Sequence, residues 1–267
     1  MKRLFLPMMA IVFACCAGNS ANNSQNNEGN MENANLKLEA VKAAGYQYDT
    51  LTTPKGRQVS LVFIKHGSIA IDIDGYMIYI DPVTMFGNDY SVLPKADLIM
   101  VTHEHHDHFD PQAIAELTGD DTRLIGSRRI NELYGSGEIM EPGDKVEIKD
   151  EDITITAVPA YNITPDHLQF HPKERKDDGF VFDIDGLRIY VAGDTEDIPE
   201  MADLKDIDVA FIPVNQPYTM TPEQGIHAAE MIKPKILYPY HYGQTDLTPL
   251  VDGLKGSGID VRVRQLQ

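Results

Sequence analysis

Cysteine is nearly absent from this chain of 267 residues: there are two, Cys15 and Cys16, side by side near the amino terminus. Nothing beyond residue 16 can therefore form a disulfide or offer a thiolate to a metal, so any metal site in the body of the chain is built from imidazole and carboxylate. Basic residues are scarce as well. Lys and Arg number 23 against 41 Asp and Glu, a net charge of −18, which repels phosphate backbones on average and disfavours a nucleic-acid role. Beyond the first 14 residues no apolar run is long enough to cross a bilayer. What is present, 42% apolar and 24% charged positions, is the make-up of a folded chain with core enough for one large domain.

The amino terminus accounts for the cysteines. Lys2 and Arg3 precede an apolar run at 4–14, too short to span a membrane and the right length for a signal peptide. The run closes on Val12-Phe13-Ala14-Cys15, which resembles the lipobox of bacterial lipoproteins, with Cys16 as the alternative lipid site. Residues 1–16 are thus expected to be a signal peptide of lipoprotein type, and the mature protein to be exported to the bacterial cell envelope or periplasm, touching membrane only through a lipid on Cys15. Residues 17–35, with asparagine at eight of nineteen positions and no apolar period, read as a flexible tether. The functional domain is then 36–267, entered through a short helix at 36–44 that Gly45 stops.

Within that domain, runs with period-two alternation or continuous apolar character predict strands at 59–64, 68–72, 77–80, 98–101, 153–158, 180–184, 188–191, 209–214 and 235–240. Asp110-Pro111 starts one helix, and Thr221-Pro-Glu-Gln224 is a capping box that starts another. One segment occurs twice. Ile71-Asp-Ile-Asp-Gly-Tyr-Met-Ile-Tyr-Ile-Asp81 returns 111 residues later as Phe182-Asp-Ile-Asp-Gly-Leu-Arg-Ile-Tyr-Val-Ala-Gly-Asp194. Each copy reads as a hairpin turning on Asp-Gly, with an aspartate at or just past the end of its second strand, and the pair suggests two related halves.

The chemistry concentrates at Leu98-Ile-Met-Val-Thr-His103-Glu-His105-His106-Asp107-His108, which sets four of the nine histidines within six residues directly after an apolar strand. Loops at strand ends are where rigid scaffolds mount reactive groups. Positions 103, 105, 107 and 108 cannot all face one ion from a regular element, so two ions are implied. A bend at 104–106 hands His103 and His105 to one and Asp107 and His108 to a second about 3.5–4 Å away, the spacing of two-metal hydrolytic centres. These donors suit zinc first.

His103-x-His105-x-Asp107-His108 after a strand ending in Thr102 resembles the signature of the metallo-β-lactamase superfamily, and the resemblance extends over roughly residues 59–267. It implies an α/β fold, the αββα sandwich of two related βα halves, into which the repeated hairpin fits. It also implies that Asp81 is structural, that Asp194 in Gly-Asp-Thr bridges both ions, and that His241 in Tyr-Pro-Tyr-His-Tyr-Gly completes the second site. The third histidine of the first site departs from the simplest pattern, because Val158-Pro-Ala-Tyr-Asn162 carries asparagine there. His171 is the expected replacement and His167 its competitor. His66 in Ile-Lys-His-Gly-Ser resembles a segment that lies near the metals in the lactonase-like and phospholipase-D-like branch; a role behind the ligands and a plain strand-end histidine both stay open. His106 and His227 are expected to face outward.

A metal pair sharing Asp194 would lower the pKa of a bridging water and make a hydroxide nucleophile, which predicts hydrolysis of an ester-type bond, a lactone or a phosphodiester. Asp107 would orient the nucleophile or pass a proton to the leaving group. The nearest resemblance is to the branch of ascorbate-6-phosphate lactonase and N-acylphosphatidylethanolamine phospholipase D, with Asn215-Gln-Pro-Tyr-Thr-Met-Thr221 matching its loop before the last helix. Its lactonases make manganese the alternative metal. The partner is a small molecule, and Lys173, Arg175 and Lys176 would draw in an anionic one if they face the site. A non-catalytic metal-binding envelope lipoprotein is the competing reading, with Asn162 as its support.

Overall fold

Alternating apolar residues give each strand two faces, and both must be covered in a chain with this much apolar content. In the computed structural model, which describes residues 37–267, they are covered by stacking two sheets and laying helices outside them. The signal peptide expected at 1–16, the lipid site at Cys15 and the tether expected at 17–35 lie outside the described residues.

The first sheet runs β1 (Gln47–Thr52), β2 (Gln58–Lys65), β3 (Ser68–Ile73), β4 (Tyr76–Ile80), β5 (Leu98–Val101), β6 (Arg123–Gly126) and β7 (Glu138–Ile139), side by side in chain order. The second holds β8 (Lys145–Ile148), β9 (Ile153–Ala160), β10 (Asp177–Ile184), β11 (Leu187–Val191), β12 (Val209–Pro213), β13 (Ile236–Tyr240) and β14 (Asp260–Val261), also in chain order. In each sheet the first four strands pair antiparallel and the last four parallel. The two halves share one topology. The repeated hairpins are β3–β4 and β10–β11, in equivalent positions. Their turns, Asp74-Gly75 (φ +50° and +91°) and Asp185-Gly186 (φ +53° and +87°), have two successive left-handed residues, the geometry that matches strand twist in a two-residue hairpin.

Leu61, Phe63 and Ile71 of the first sheet meet Ile155, Phe182 and Phe211 of the second in the central core. Outside the first sheet, α1 (residues 37–43) seats Val41, α2 (Pro111–Leu117) seats Ile114 and Leu117, and α3 (Arg128–Tyr134) seats Ile130. Outside the second, α4 (Pro222–Ile232) seats Ala228 and Ile232, and α5 (Thr248–Gly253) seats Leu250. This is the αββα sandwich expected from the sequence. Both anticipated helix starts form: the Asp110 side chain accepts from the Gln112 and Ala113 N–H groups, and Thr221 and Gln224 cap each other reciprocally. Five strands (β1, β6, β7, β8, β14) and two helices (α3, α5) were not anticipated. No helix among the described residues is long and apolar enough to cross a membrane.

Candidate metal centre

The loops leaving β5, β9, β11 and β13 meet at one edge of the sandwich and bring the expected ligands with them. His103, His105, Asp107 and His108 follow β5, His171 lies between β9 and β10, Asp194 follows β11 and His241 follows β13. His66 enters from the β2–β3 turn. His66, Asp81 and His241 all have left-handed backbone (φ +56°, +48° and +50°), a strained conformation for residues with a side chain and one that concentrates at functional sites. The His66 carbonyl accepts from the His241 N–H at 3.2 Å, which locks the two loops together. Glycine must follow His66, because a Cβ at Gly67 would stand 2.7 Å from His108 Cε1.

Three groups result, His103 with His105 and His171, His66 with Asp107 and His241, and His103 with His108 and Asp194, each with donor atoms within 4.8 Å of one another. Asp194 joins them. Its Oδ2 is 3.4 Å from both His171 Nε2 and His241 Nε2 and 3.9 Å from His103 Nε2, while Oδ1 is 3.3 Å from His108 Nε2. Asp107 Oδ2 lies 3.4 Å from His241 Nε2 and from His66 Nε2, and 4.0 Å from His108 Nε2.

Groups behind the donors set their orientation. Asp81, fully buried, accepts from Thr102 N–H and Thr102 Oγ1 (2.7 Å each) and sits 2.7 Å from His108 Nδ1, so His108 turns Nε2 to the centre. Because Thr102 Oγ1 donates to Asp81, it accepts from His103 Nδ1 (2.9 Å) and leaves His103 Nε2 without a proton. Asp177 Oδ2 lies 3.3 Å from His171 Nδ1, on the side of the ring away from Asp194. Arg175 lies across the back of the first group: Nη1 is 2.8 Å from His105 Nε2, Nη2 is 2.9 Å from His171 Nδ1, and Nε donates to Asp177.

Charge follows the same division. Burial pushes His103 well below the ordinary imidazole value, and pushes His66 and His105 down to about 4. Burial alone would raise Asp194 and Asp107, but the facing histidines, His241 and His108 for the first and His241 and His66 for the second, hold both carboxyls below the ordinary range. His108 and His171 go the other way: burial is outweighed by Asp194 and Asp81 in one and by Asp177 and Asp194 in the other, so a proton and a cation compete for these two rings.

Do these residues fit a metal? His103 Nε2, His108 Nε2 and Asp194 Oδ1 are buried and have no hydrogen-bond partner. Buried polar atoms are nearly always paired, and these three converge in a space where only a proton or a cation can satisfy them. The donors are nitrogen and oxygen only, a set that zinc and manganese both accept. They fit.

His167 is not in these groups; its Nδ1 lies 3.0 Å from Glu196 Oε1. Asn162 is not a donor either. It is a brace whose Nδ2 donates to the Tyr218 carbonyl at 2.8 Å and the His167 carbonyl at 3.2 Å. Glu196 completes that brace by accepting from the Ile163 and Thr164 N–H groups (2.7 and 2.6 Å), which fixes the loop that carries His171. His106 and His227 are exposed. Of the cations expected to meet an anion, Lys173 pairs with Glu200 (2.9 Å), Lys176 with Glu141 (3.0 Å), and Arg175 stands behind the histidines. A cavity of about 460 Å³ opens onto His66, His105, Asp107, His171, Asp194 and His241. Sequence reasoning missed Arg175, Asp177 and Glu196 as supports and left His66 open; the Arg-x-Asp spacing and the His-Gly pair were the available signals.

A two-sheet sandwich whose strand ends gather histidines and aspartates around one central carboxylate defines the metallo-β-lactamase class. Residues 60–241 match the family described as Beta-lactamase superfamily domain. The chain is 31% identical over 212 residues to a UPF0173 metal-dependent hydrolase of Methanopyrus kandleri (68% of this chain, 84% of the relative) and 32% identical over 219 residues to one of Symbiobacterium thermophilum (76% and 91%). A candidate metal-dependent hydrolase of Parabacteroides distasonis, solved by crystallography, is 50% identical, superposes with a TM-score of 0.81 and covers 83% of this chain and 100% of its own. Igni18, a metallo hydrolase of Ignicoccus hospitalis, shares the fold (TM-score 0.63, 23% identity, 78% of this chain and 95% of its own). The chain belongs to the metallo-β-lactamase superfamily, within its UPF0173 metal-dependent hydrolases.

Proposed function

We propose that this protein is a binuclear metal-dependent hydrolase of ester-type bonds, acting on a lactone or a phosphodiester as the lactonase-like and phospholipase-D-like branch does. The observation that carries the reading is the set of buried, unpartnered donors on either side of Asp194, open to a cavity of small-molecule size. His103, His105 and His171 would hold one ion, Asp107, His108 and His241 the other, and Asp194 both, with zinc the first choice and manganese the alternative; His66 is within reach of the second. When bound, a divalent pair supplies Lewis acidity and an acidified water. Asp107, ionised and facing the cavity, would help hold the second ion and would orient a water there through Oδ2. Phe86 against His66 and Phe170 against Tyr218 keep bulk water from the flanks.

An open cavity favours turnover over storage, which supports the enzyme against the non-catalytic lipoprotein. The substrate is a small molecule and the net charge of −18 speaks against nucleic acid. Export with a lipid on Cys15 rests on the amino-terminal pattern alone. The test is hydrolysis of a panel of lactones and phosphodiesters by zinc- and manganese-loaded protein, before and after chelation. Turnover on at least one class that chelator abolishes and metal restores is expected; metal-loaded protein inert on both classes contradicts the proposal.

A further inference from the structure

We infer that the cavity selects an ester-type substrate whose far arm is uncharged and apolar. This rests on the hydrolase reading above and concerns the part of the substrate that the metals do not touch. Beside the donors, Met85, Phe86, Phe170 and Tyr218 line the cavity. Met85 and Tyr218 stand 50% and 47% exposed, and together with Phe86 and Phe170 they give one cavity four large apolar side chains.

The wall is built in advance. Phe170 meets Tyr218 edge to face at 5.1 Å, and Phe86 packs on the His66 ring at 4.5 Å. Asn162 ties the Tyr218 carbonyl to the loop that carries Phe170. Three separate loops thus supply one apolar lining in which Phe170 and Tyr218 brace each other and Phe86 is braced by His66, which lowers the ordering cost of binding.

Among the described residues no Lys or Arg lines this cavity. The cations of the 173–176 segment are engaged elsewhere: Lys173 with Glu200, Lys176 with Glu141, and Arg175 with Asp177 behind His105 and His171. A phosphate or carboxylate on the far arm would be desolvated against aromatic rings with no countercharge from that wall, and the chain's net charge of −18 would oppose its approach. This replaces the anionic substrate expected from the Lys173, Arg175 and Lys176 run. With about 460 Å³ to share between the reacting group and the arm, the arm is of aryl or short alkyl size.

The probe is a series of hydroxamic acids titrated calorimetrically into zinc-loaded protein, since one metal-binding head can carry arms that end in phenyl or in carboxylate. At equal length the phenyl arm should bind at least tenfold tighter, and each added methylene should tighten binding about three- to fourfold until the cavity is full, as burial of a methylene predicts. Met85→Ala and Tyr218→Ala, both at half-exposed positions, should each reduce the phenyl preference several-fold at unchanged metal content. Equal or tighter binding of the carboxylate arm, or a preference that survives both substitutions, overturns the inference. Matching esters assayed on the same preparations separate the two claims: a phenyl preference in binding with no ester hydrolysed removes the hydrolase reading and leaves the selectivity, whereas turnover that favours charged arms removes the selectivity and leaves the hydrolase.

Discussion

Single side chains make the sharpest distinctions. His171 and His167 are four residues apart, yet one points Nε2 at Asp194 and the other faces Glu196. His171→Ala should therefore cost about one bound ion per chain, while His167→Ala should keep the metal and only loosen the loop; elemental analysis of both variants checks this. Asp81 acts through His108 and never reaches the cavity. Asp81→Asn should weaken metal retention about 10–100-fold in a chelator competition, the usual effect of removing a carboxylate behind a ligating histidine.

Asp178 lies outside the centre and obeys a different logic. It is buried, neither of its oxygens has a partner, and burial pushes its pKa from 3.8 up to about 9. The folded protein then keeps a proton that the unfolded chain releases, so between about pH 4 and pH 9 stability falls as pH rises, with no penalty below the lower value. Asp178→Asn, which mimics the protonated form, should leave thermal stability unchanged near pH 4 and raise it at pH 8, by roughly 1–3 kcal/mol. Melting curves of the two proteins at both pH values decide it.

At the scale of elements, the two hairpins show what a sequence can and cannot disclose. Their Asp-Gly turns and alternating residues are local signals, so β3–β4 and β10–β11 are legible, as are the proline and cap that begin α2 and α4. Equivalence of position does not fix equivalence of role: Asp81 supports His108 from behind, and Asp194 stands between the donor groups. β1 is a half-exposed edge strand that exists by pairing with β2, and β7 and β14 are two residues each; such strands are decided by their neighbours rather than by their own pattern. The histidine cluster after β5 was legible for the same reason as the turns. Arg175 was not, because its partner His105 lies 70 residues away and only the folded sheets bring them together.

Two turns also divide fold from site. Gly75→Ala places a side chain at φ +91° and should destabilise the hairpin by about 1 kcal/mol with metal content unchanged. Gly67→Ala should do the reverse. Its Cβ would press on His108 Cε1 from 2.7 Å, displacing a donor and lowering metal content at modest cost to the fold. Denaturation and metal analysis on both variants separate the two effects.

At the scale of the whole molecule, two sheets of equal topology hold loops that have little reason to order on their own, and a bound cation would hold them further. The metal-free centre keeps several buried polar atoms without a hydrogen-bond partner. Mass action then couples metal to stability: ligand at 100 times its dissociation constant adds about 2.7 kcal/mol, so the melting temperature should climb with free zinc and fall on chelation.

The central claim is that two groups of donors sharing Asp194 make a two-ion centre. The most direct measurement is metal stoichiometry, by titrating zinc into chelator-stripped protein and counting bound ions per chain. The account predicts two, with His171→Ala and His241→Ala each leaving about one. A wild-type protein that saturates at a single ion, or binds none, contradicts it.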